Sequence, residues 1–426
     1  MGVAARAEPR RRSGRLWLIV ALVMMTLAAL ALHAWYGLRN HFFDLMVYRD
    51  AMLWWDDGNF LYDFGRPDAT QGRLEFTYPP FAAYLLRPLA WLTANQSAVI
   101  FSAVSVAALA VSIWLLVRPV ADEHGWPRWF TFGAAFVLAS GLEPLRHTFD
   151  FGQINFIVWA LVLVDLLVLL PRGSRLTGVA IGLATAIKLV PGVFILYLLA
   201  TRRWRAGAMA AGTALLASAL AAALAPRESW VFWTDRVLHG AGVGRMDYTF
   251  NQSLLGVLAR LTAPEPPGQV AWLLIAVPAL VLGLWRAARA TARGDEVTGL
   301  TIAGLTGSLV SPVTWVHHIF WFVPALVVLT DAALRSADHK RRVLLLGYAA
   351  LVYLTVTVSI LSLWEFTWGQ PGGALGFLLS NWFVWLMVSL VVALPVRGGG
   401  VAPADVASAR RRSWSPWPGR SRSAAA

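Results

Sequence analysis

The sequence predicts an all-α protein whose helices form a bundle within a membrane. Of its 426 residues, 58% are hydrophobic and only 14% are charged, and the mean hydropathy is +0.60. With so few charged and so many hydrophobic residues, the chain could hardly form a surface in contact with water. Apolar runs of about 20 residues, the length that crosses a bilayer, recur between Leu16 and the region of Val396. One transmembrane domain is therefore predicted over residues 16–396.

This domain follows a basic segment, residues 1–15, and precedes a tail, residues 397–426. Arg11 and Arg12 stand just before the apolar run 16–36. That run exceeds the roughly 7 to 15 apolar residues of a cleaved secretion signal, so we expect it to remain as the first helix. The tail is rich in Gly, Pro, Ser, Ala and Arg, a composition typical of a disordered segment.

Twelve apolar segments are predicted in all. Two shorter ones form a pair that is broken between Lys188 and Pro191, where the proline removes a backbone donor and bends the chain. The segments cover residues 16–36, 96–118, 129–143, 154–171, 175–187, 189–201, 206–226, 269–288, 297–312, 317–333, 342–361 and 374–396.

Basic residues form short clusters between these segments. By the positive-inside rule, clusters such as Arg202 with Arg203 and Arg341 with Arg342 mark cytoplasmic loops and predict that both termini are cytoplasmic. The formal net charge of +13 is therefore interpreted as a topology signal and not as a nucleic-acid-binding surface. The chain contains no cysteine, which excludes disulfides and cysteine-ligated metals.

Polar residues collect in the loops predicted to face outward, which cover residues 37–77, 143–155, 227–252 and 311–318. Ionisable groups at a membrane interface are costly and often functional, so we expect an extracytoplasmic active site. The apolar stretch 81–92 follows Tyr78-Pro79-Pro80 and is too short to span comfortably. It suits a helix that lies in the outer interface.

The first outer loop offers several carboxylates that can act as a general base. Asp44 follows the first helix closely and should lie near the membrane surface, but chemistry alone does not choose among Asp44, Asp50, Asp56 and Asp57. Most carboxylates in loops are solvated or cap helices. For each of the four, that structural interpretation stands beside the catalytic one.

Lys188 is the first candidate for binding a lipid phosphate. It is one of only two lysines in the chain and stands in an apolar segment, where its ammonium can hold a phosphate as a point charge. The alternative is a buried ion pair, for example with Asp165.

Two adjacent pairs are further cationic candidates. His317 and His318 are neighbours, so on a helix one can bind phosphate or sugar hydroxyls while the other packs. Arg146 and His147 offer a similar pair in another outer loop, with snorkelling to the interface as the structural alternative.

Six short strings then occur in order along the chain: Asp44-Leu45-Met46-Val47-Tyr48, Phe76-Thr77-Tyr78-Pro79-Pro80-Phe81-Ala82, Gly152-Gln153-Ile154-Asn155, Ala186-Ile187-Lys188-Leu189-Val190-Pro191, Asn251-Gln252-Ser253 and Ser311-Pro312-Val313-Thr314-Trp315-Val316-His317-His318. Their order and spacing resemble glycosyltransferase family 87, membrane enzymes of the GT-C superfamily. Within that family the sequence looks most like the actinobacterial α-(1,2)-mannosyltransferases. The resemblance covers residues 16–395, most of the chain.

The resemblance implies a GT-C fold with an extracytoplasmic first loop, and it implies the identity of the base. The family uses an Asp in the first outer loop as the base, which corresponds to Asp44. A leaving phosphate needs charge stabilisation, so the cationic candidates Lys188, His317, His318, Arg146 and His147 are expected to bind the donor phosphate. Residues in or beside the matching strings are expected to bind substrate: Tyr48, Tyr78, Gln153, Asn155, Asn251 and Gln252.

The resulting hypothesis is inverting transfer of mannose from polyprenyl-phosphate-mannose to a glycolipid or lipoglycan acceptor, at the outer face of a plasma membrane, with an α-(1,2) linkage formed. The partners are those two lipids and the membrane, and no nucleic acid. A monophosphate leaving group carries little charge and the first outer loop has no Asp-x-Asp, so no metal or other cofactor is expected. An arabinofuranosyltransferase using decaprenyl-phosphate-arabinose stays open, as does a lipid flippase or transporter with a polar site near the midplane.

Overall fold

The computed structural model describes residues 8–37, 40–68, 72–237 and 244–398. Much of the predicted basic N-terminus and nearly all of the predicted tail lie outside this part of the chain, so both remain predictions. The described chain is predominantly helical, with one antiparallel hairpin of β1 (Gly65–Asp68) and β2 (Gly72–Glu75). The predicted all-α class is confirmed.

The described α-helices are numbered in chain order: α1 (Glu8–Tyr36), α2 (Phe43–Asp56), α3 (Pro80–Leu86), α4 (Ala94–His124), α5 (Arg128–Ser140), α6 (Glu143–Phe151), α7 (Asn155–Val164), α8 (Val179–Ile187), α9 (Val193–Ala200), α10 (Trp204–Leu224), α11 (Pro226–Val231), α12 (Leu254–Thr262), α13 (Gln269–Ala292), α14 (Glu296–Val310), α15 (Phe322–Arg335), α16 (His339–Val358), α17 (Ile360–Phe366), α18 (Gly373–Ser380) and α19 (Trp382–Ala393).

Five of these stretches are long and apolar enough to cross a membrane: α1, α4, α10, α13, and α16 continued into α17. Two further candidates are helix pairs bent at a short break, α6 with α7 by 119° and α18 with α19 by 66°. By length and composition, the described chain thus holds five to seven spans. Each of the twelve predicted segments overlaps a helix, but several of these helices, such as α8 and α9, are short, so twelve crossings stay a prediction.

Each of the four predicted outer loops contains helical turns or strands. The stretch 143–155 was expected as a loop but contains α6. Pro144 lies in the first turn of this helix, and Gly152, with φ of +69°, ends it. The first outer loop contains α2 and the hairpin. The apolar stretch 81–92 is helical as predicted, in α3 and the short 3₁₀ helix Arg87–Trp91. Helices α2 and α6 and the hairpin are too polar or too short for an apolar-run criterion to detect.

Helix α8 is held tightly against α10 by small residues. A Cβ on Gly182 would lie 2.5 Å from the carbonyl oxygen of Ala210, so the two backbones are in contact at this point. On its other side α10 exposes Leu215 and Leu216, which are 70% and 72% accessible and suited to face lipid. The close contact fixes the end of α8, where Lys188 follows.

Candidate active site

One large cavity of about 1170 Å³ lies among α2, α6, the break after α8 and the turn before α15. These parts of the cavity wall lie outside the five long spans, although α6 belongs to a bent pair. Nine of the residues singled out from the sequence line it: Asp44, Tyr48, Tyr78, Arg146, His147, Gln153, Lys188, His317 and His318. Asn155, Asn251 and Gln252 lie behind the lining and are buried.

Asp44 stands in the first turn of α2, just after a turn with unusual backbone geometry. His41 and Phe42 both have positive φ, 48° and 55°, which is uncommon for residues other than glycine. Asp150 holds this turn, because its carboxylate accepts the backbone N–H of Asn40 at 3.1 Å and its carbonyl accepts that of Phe42 at 2.8 Å. The start of α2 is thereby fixed to α6.

Gln153 joins Asp44 to two tyrosines. Its Nε2 donates to the Asp44 carboxylate, and its Oε1 lies 2.9 Å from the hydroxyls of both Tyr48 and Tyr78. Those hydroxyls lie 2.8 Å from each other. Since the tyrosine hydroxyls supply the donors, the amide is oriented with its N–H toward the carboxylate.

Lys188 stands in the break between α8 and α9, and its ammonium is held at the cavity wall. Nζ lies 2.8 Å from Asn155 Oδ1, 2.9 Å from His318 Nε2 and 3.4 Å from the Tyr78 hydroxyl. Asp165, the alternative ion-pair partner, instead accepts the backbone N–H groups of Gly178 and Ile181 at 2.7 and 3.0 Å. The ion pair between Lys188 and Asp165 is therefore not formed.

His318 and Lys188 direct two donors to one place. The backbone N–H of Trp315 donates to His318 Nδ1 at 3.3 Å, so Nε2 carries the proton of the neutral ring. Burial holds the pKa of His318 well below its usual range, and Lys188 lowers it further. The Nε2–H of His318 and the ammonium of Lys188 are both donors, so they repel each other at this distance. The repulsion is relieved if Lys188 is neutral or if an anion binds both groups. This pair is suited to an anionic oxygen such as that of a phosphate.

The other predicted cations have different surroundings. His317 lines the cavity, but its Nε2 is fully buried with no hydrogen-bond partner among the described residues. His147 packs against Phe250 with ring centroids 6.1 Å apart. Arg146 donates to the backbone carbonyls of Gly141 and Thr357, so much of its guanidinium is already bound.

The three residues behind the lining hold backbone in place. Asn155 donates to the carbonyl of His317 at 2.8 Å while it accepts from Lys188, and thus ties the two phosphate-binding candidates together. Asn251 Oδ1 accepts the N–H of Thr314 at 3.0 Å. Gln252 Oε1 accepts the N–H groups that open α19, at 3.1 and 3.2 Å.

The electrostatic surroundings separate Asp44 from the other loop carboxylates. Burial raises the pKa of Asp44 to about 6, against the opposing effects of the Gln153 hydrogen bond and of Lys188. Burial lowers the pKa of Lys188 to about 7, against the effect of Asp44. Asp50 pairs with Arg49 and Arg66, and lies outside the lining.

Several residues of the cavity wall escaped the sequence analysis. Asp68, at the end of β1, lines the cavity and contributes to the raised pKa of Asp44. Tyr248 and Phe250 line it from the segment before α12. Their proximity to the Asn251-Gln252 string was a usable signal, whereas nothing in the sequence distinguishes Asp68 from other loop carboxylates.

Fold and site together define a class: a multi-pass membrane protein with a partly buried carboxylate and a lysine–histidine contact in one cavity. The chain belongs to glycosyltransferase family 87, whose model matches residues 76–312, and it is a glycosyltransferase.

Relatives agree with that assignment. The chain is 36% identical over 335 residues, 73% of this chain and 75% of the relative, to a polyprenol-phosphate-mannose-dependent alpha-(1-2)-phosphatidylinositol mannoside mannosyltransferase of Mycolicibacterium smegmatis. It is 30% identical, over 90% of this chain and 87% of the relative, to a pentamannoside mannosyltransferase of that kind from Mycobacterium tuberculosis. An alpha-(1->3)-arabinofuranosyltransferase of Mycobacterium tuberculosis is 28% identical over 68% of this chain and 66% of the relative. No solved structure is significantly similar to this chain.

Proposed function

We propose that this protein transfers mannose from polyprenyl-phosphate-mannose to a glycolipid or lipoglycan acceptor and forms an α-(1,2) linkage with inversion. One observation carries the proposal. A carboxylate with a raised pKa, Asp44, is joined through Gln153 and Tyr78 to the anion-binding pair of Lys188 and His318 in the same cavity. A base for the acceptor and a site for the leaving phosphate are thus close together.

The chemical step is a single displacement at the anomeric carbon of mannose. The acceptor hydroxyl oxygen forms a bond to that carbon while the bond from the carbon to the phosphate oxygen breaks, and the bonding pair leaves with the polyprenyl phosphate. Asp44 takes the proton of the attacking hydroxyl. Attack from the face opposite the leaving group inverts the configuration, as for the base of an inverting glycosidase.

The leaving phosphate needs charge stabilisation and not a strong acid, because a phosphate monoester is a good leaving group. Lys188 Nζ and His318 Nε2, 2.9 Å apart, supply two donors for one oxygen or for two oxygens of one phosphate. His317 lines the same wall beside His318. Tyr48 and Tyr78 hold Gln153, which in turn keeps the Asp44 carboxylate oriented.

A lipid-borne donor suits the position of the site. Its chain can stay in the bilayer while the head group enters the cavity. We place the cavity on the outer side of the plasma membrane, where lipid-phosphate sugars replace nucleotide sugars. The relatives named for polyprenol-phosphate-mannose dependence support this donor, and the more distant arabinofuranosyltransferase makes decaprenyl-phosphate-arabinose the second candidate.

The experiment supplies each donor, radiolabelled in the sugar, to purified protein with a mannosylated lipid acceptor. We expect transfer from polyprenyl-phosphate-mannose and none from the arabinose donor, with an α-(1,2) linkage in the product. Asp44→Asn should reduce the rate by about 10²- to 10⁴-fold, the usual contribution of a general base. Undiminished transfer by a folded Asp44→Asn protein would show that Asp44 is not the general base. Asp50→Asn serves as the matched control.

A further inference from the structure

A set of five rings forms one continuous aromatic wall of the cavity. The wall consists of His147, Tyr248, Phe250, Trp315 and Phe366, all of which line the cavity. Tyr248 lies 5.3 Å from Phe250 and 6.3 Å from Trp315 between ring centroids, and Phe250 lies 6.0 Å from Phe366 and 6.1 Å from His147. Apart from His147, a candidate for binding the donor phosphate, none of these rings has a role in the displacement at the anomeric carbon.

The wall is built from separate segments that the buried amides of Asn251 and Gln252 hold together. The Asn251 side chain accepts the N–H of Thr314 at 3.0 Å and donates to the carbonyl of Met246 at 3.0 Å. The backbone N–H of Gln252 donates to the carbonyl of Thr314 at 2.7 Å. These bonds fix the segment that carries Tyr248 and Phe250 against the turn that carries Trp315, so the rings are arranged in advance of any ligand.

The wall adjoins the reaction centre. Trp315 is joined to His318 within one short turn by the hydrogen bond from its backbone N–H to Nδ1. On the other side, Phe151 lies between His147 and His317, 5.7 and 5.4 Å from their rings. A molecule lying along the wall can therefore place one end beside the anion-binding pair.

The chemistry of the wall favours sugar over an acyl chain. Charged groups lie beside it, since Asp247 precedes Tyr248 in the chain and pairs with Arg245 at 2.7 Å. Burial, and then the nearby Glu365, raise the pKa of Tyr248 to about 12. Packing a lipid chain against ionised groups would cost their hydration. A pyranose ring presents C–H groups to the negative face of an aromatic ring and its hydroxyls to a polar rim.

The volume of the cavity also indicates more than one occupant. At about 1170 Å³ it exceeds the roughly 300–1000 Å³ of a site for one drug-sized ligand. The mannosyl phosphate of the donor is smaller than that, which leaves space for sugar rings of the acceptor.

We propose that the aromatic wall is a binding site for pyranose rings of the acceptor glycan, held ready by Asn251 and Gln252. This inference rests on the proposed function, because it assigns the second substrate of the same cavity. The wall makes the enzyme favour an acceptor with at least two sugar rings over one with a single ring.

The test measures binding of octyl α-dimannoside to purified protein in detergent, without donor. Phe250→Ala should raise the dissociation constant about 10-fold, the effect of losing one aromatic contact and its buried area. Phe250→Leu keeps apolar volume without the ring and should weaken binding to a similar extent. Trp368→Ala is the matched control, because Trp368 is 45% exposed and lies outside the cavity lining.

The outcomes are decisive and separate from the donor question. Weaker binding in both Phe250 variants, with wild-type binding in Trp368→Ala and an unchanged KM for the donor, supports the wall as an acceptor site. The inference is overturned if wild-type protein does not bind the dimannoside, if Phe250→Leu binds it as well as wild type, or if only the donor KM changes. Failure of sugar transfer from either donor would instead count against the proposed function, since the binding measurement needs no transfer.

Discussion

Asp44 is held by an amide and not by a cation, and this determines how basic it is. A carboxylate bound to arginine is stabilised as the anion and becomes a weak base. Asp50 lies 3.3 Å from both Arg49 and Arg66. Asp44 is hydrogen-bonded to the neutral Gln153 side chain, and burial raises its pKa to about 6. It is therefore ionised at neutral pH yet able to take a proton in the transition state.

The pH profile of transfer should follow from these two pKa values. Protonated Asp44 cannot act as a base, so kcat/KM should fall about tenfold per pH unit below about pH 6. With the usual aspartate pKa of 3.8, the decline would begin only near pH 4. Neutral Lys188 attracts phosphate weakly, so a second decline is expected above about pH 7, where the enzyme without bound donor loses that proton. Both limbs can be measured with saturating acceptor and limiting donor.

Asp50→Asn provides the control for that profile. It removes a loop carboxylate that lies outside the cavity lining, and both limbs should remain where they are in the wild type. An acidic limb near pH 4 in the wild type would contradict the raised pKa of Asp44. If Asp44→Asn keeps a residual rate that still declines below about pH 6, the acidic limb belongs to a group other than Asp44.

The sequence could identify the candidate carboxylates but could not choose among them by chemistry. What distinguishes Asp44 is the identity of its neighbours, and Gln153 is 109 residues away in the chain. The same limit applies to Asn251 and Gln252, which were expected to bind substrate. A buried amide that holds backbone and an amide that binds sugar hydroxyls have the same sequence signature. Lys188 was easier to identify from the sequence, since a lone lysine in an apolar segment is rare.

Among the elements, the turn before α2 sets the position of the base. Asp150 on α6 binds Asn40 through both the backbone N–H and the side-chain amide, the latter at 2.6 Å. Gly152 is part of the same arrangement, because a Cβ there would lie 2.6 Å from that of Leu45. Such contacts hold α2 and α6 in fixed positions relative to each other. Because α2 carries Asp44 and Gln153 directly follows Gly152, they also hold Gln153 beside the Asp44 carboxylate.

Asp150→Asn should therefore impair catalysis without touching the reacting atoms. It weakens two of the hydrogen bonds to Asn40 and leaves the Phe42 contact to the backbone carbonyl intact. We expect kcat to fall on the order of 10- to 100-fold, because small misplacement of a catalytic group is costly, while the KM values change little. Steady-state kinetics with thermal unfolding in detergent checks this.

A purely structural role for Asp150 predicts a different result. In that case the variant unfolds at a lower temperature, and its folded fraction retains the wild-type kcat. Asp150→Glu, which keeps the charge but moves the carboxylate, should recover part of the rate if position is what matters. Asp122→Asn, at an exposed ion pair with Arg128, is the control for a surface carboxylate.

Hydropathy predicted the long helices well, because a helix facing lipid must be apolar along its whole length. It performed less well where polar helices form the cavity. The fold-back of 119° between α6 and α7 depends on Gly152 and on packing against α2, and neither produces an apolar run. The segments that were predicted as outward-facing loops therefore contain the helices and turns that build the site.

At the scale of the whole molecule, a buried ion network joins the end of the domain to its interior. Asp331, fully buried on α15, lies 2.9 Å from nitrogen atoms of His124, Arg335 and Arg397. Arg397 also pairs with Asp295, at the start of α14. The predicted end of the domain at residue 396 stands next to this anchor. Sequence could not reveal the network, since His124 and Asp331 are 207 residues apart.

The side of the membrane on which the cavity opens determines which donor can reach it. Asp44 and Lys188 line one cavity, so they share a side whichever it is. Alternation of basic clusters predicts the outer side, and it places the loop after α2 outside and the loop before α16 inside. The loop after α2 offers the exposed Asn59, and the first turn of α16 offers the exposed Arg341.

Single-cysteine labelling tests this topology directly, because the chain has no cysteine to remove. Asn59→Cys should react with a membrane-impermeant maleimide in intact cells, as should Glu265→Cys in the exposed loop before α13. Arg341→Cys should react only after the membrane is permeabilised. Reaction of Arg341→Cys but not Asn59→Cys in intact cells would place the cavity in the cytoplasm. A donor on that side could be a nucleotide sugar, and the case for a lipid-phosphate donor would lose its physical basis.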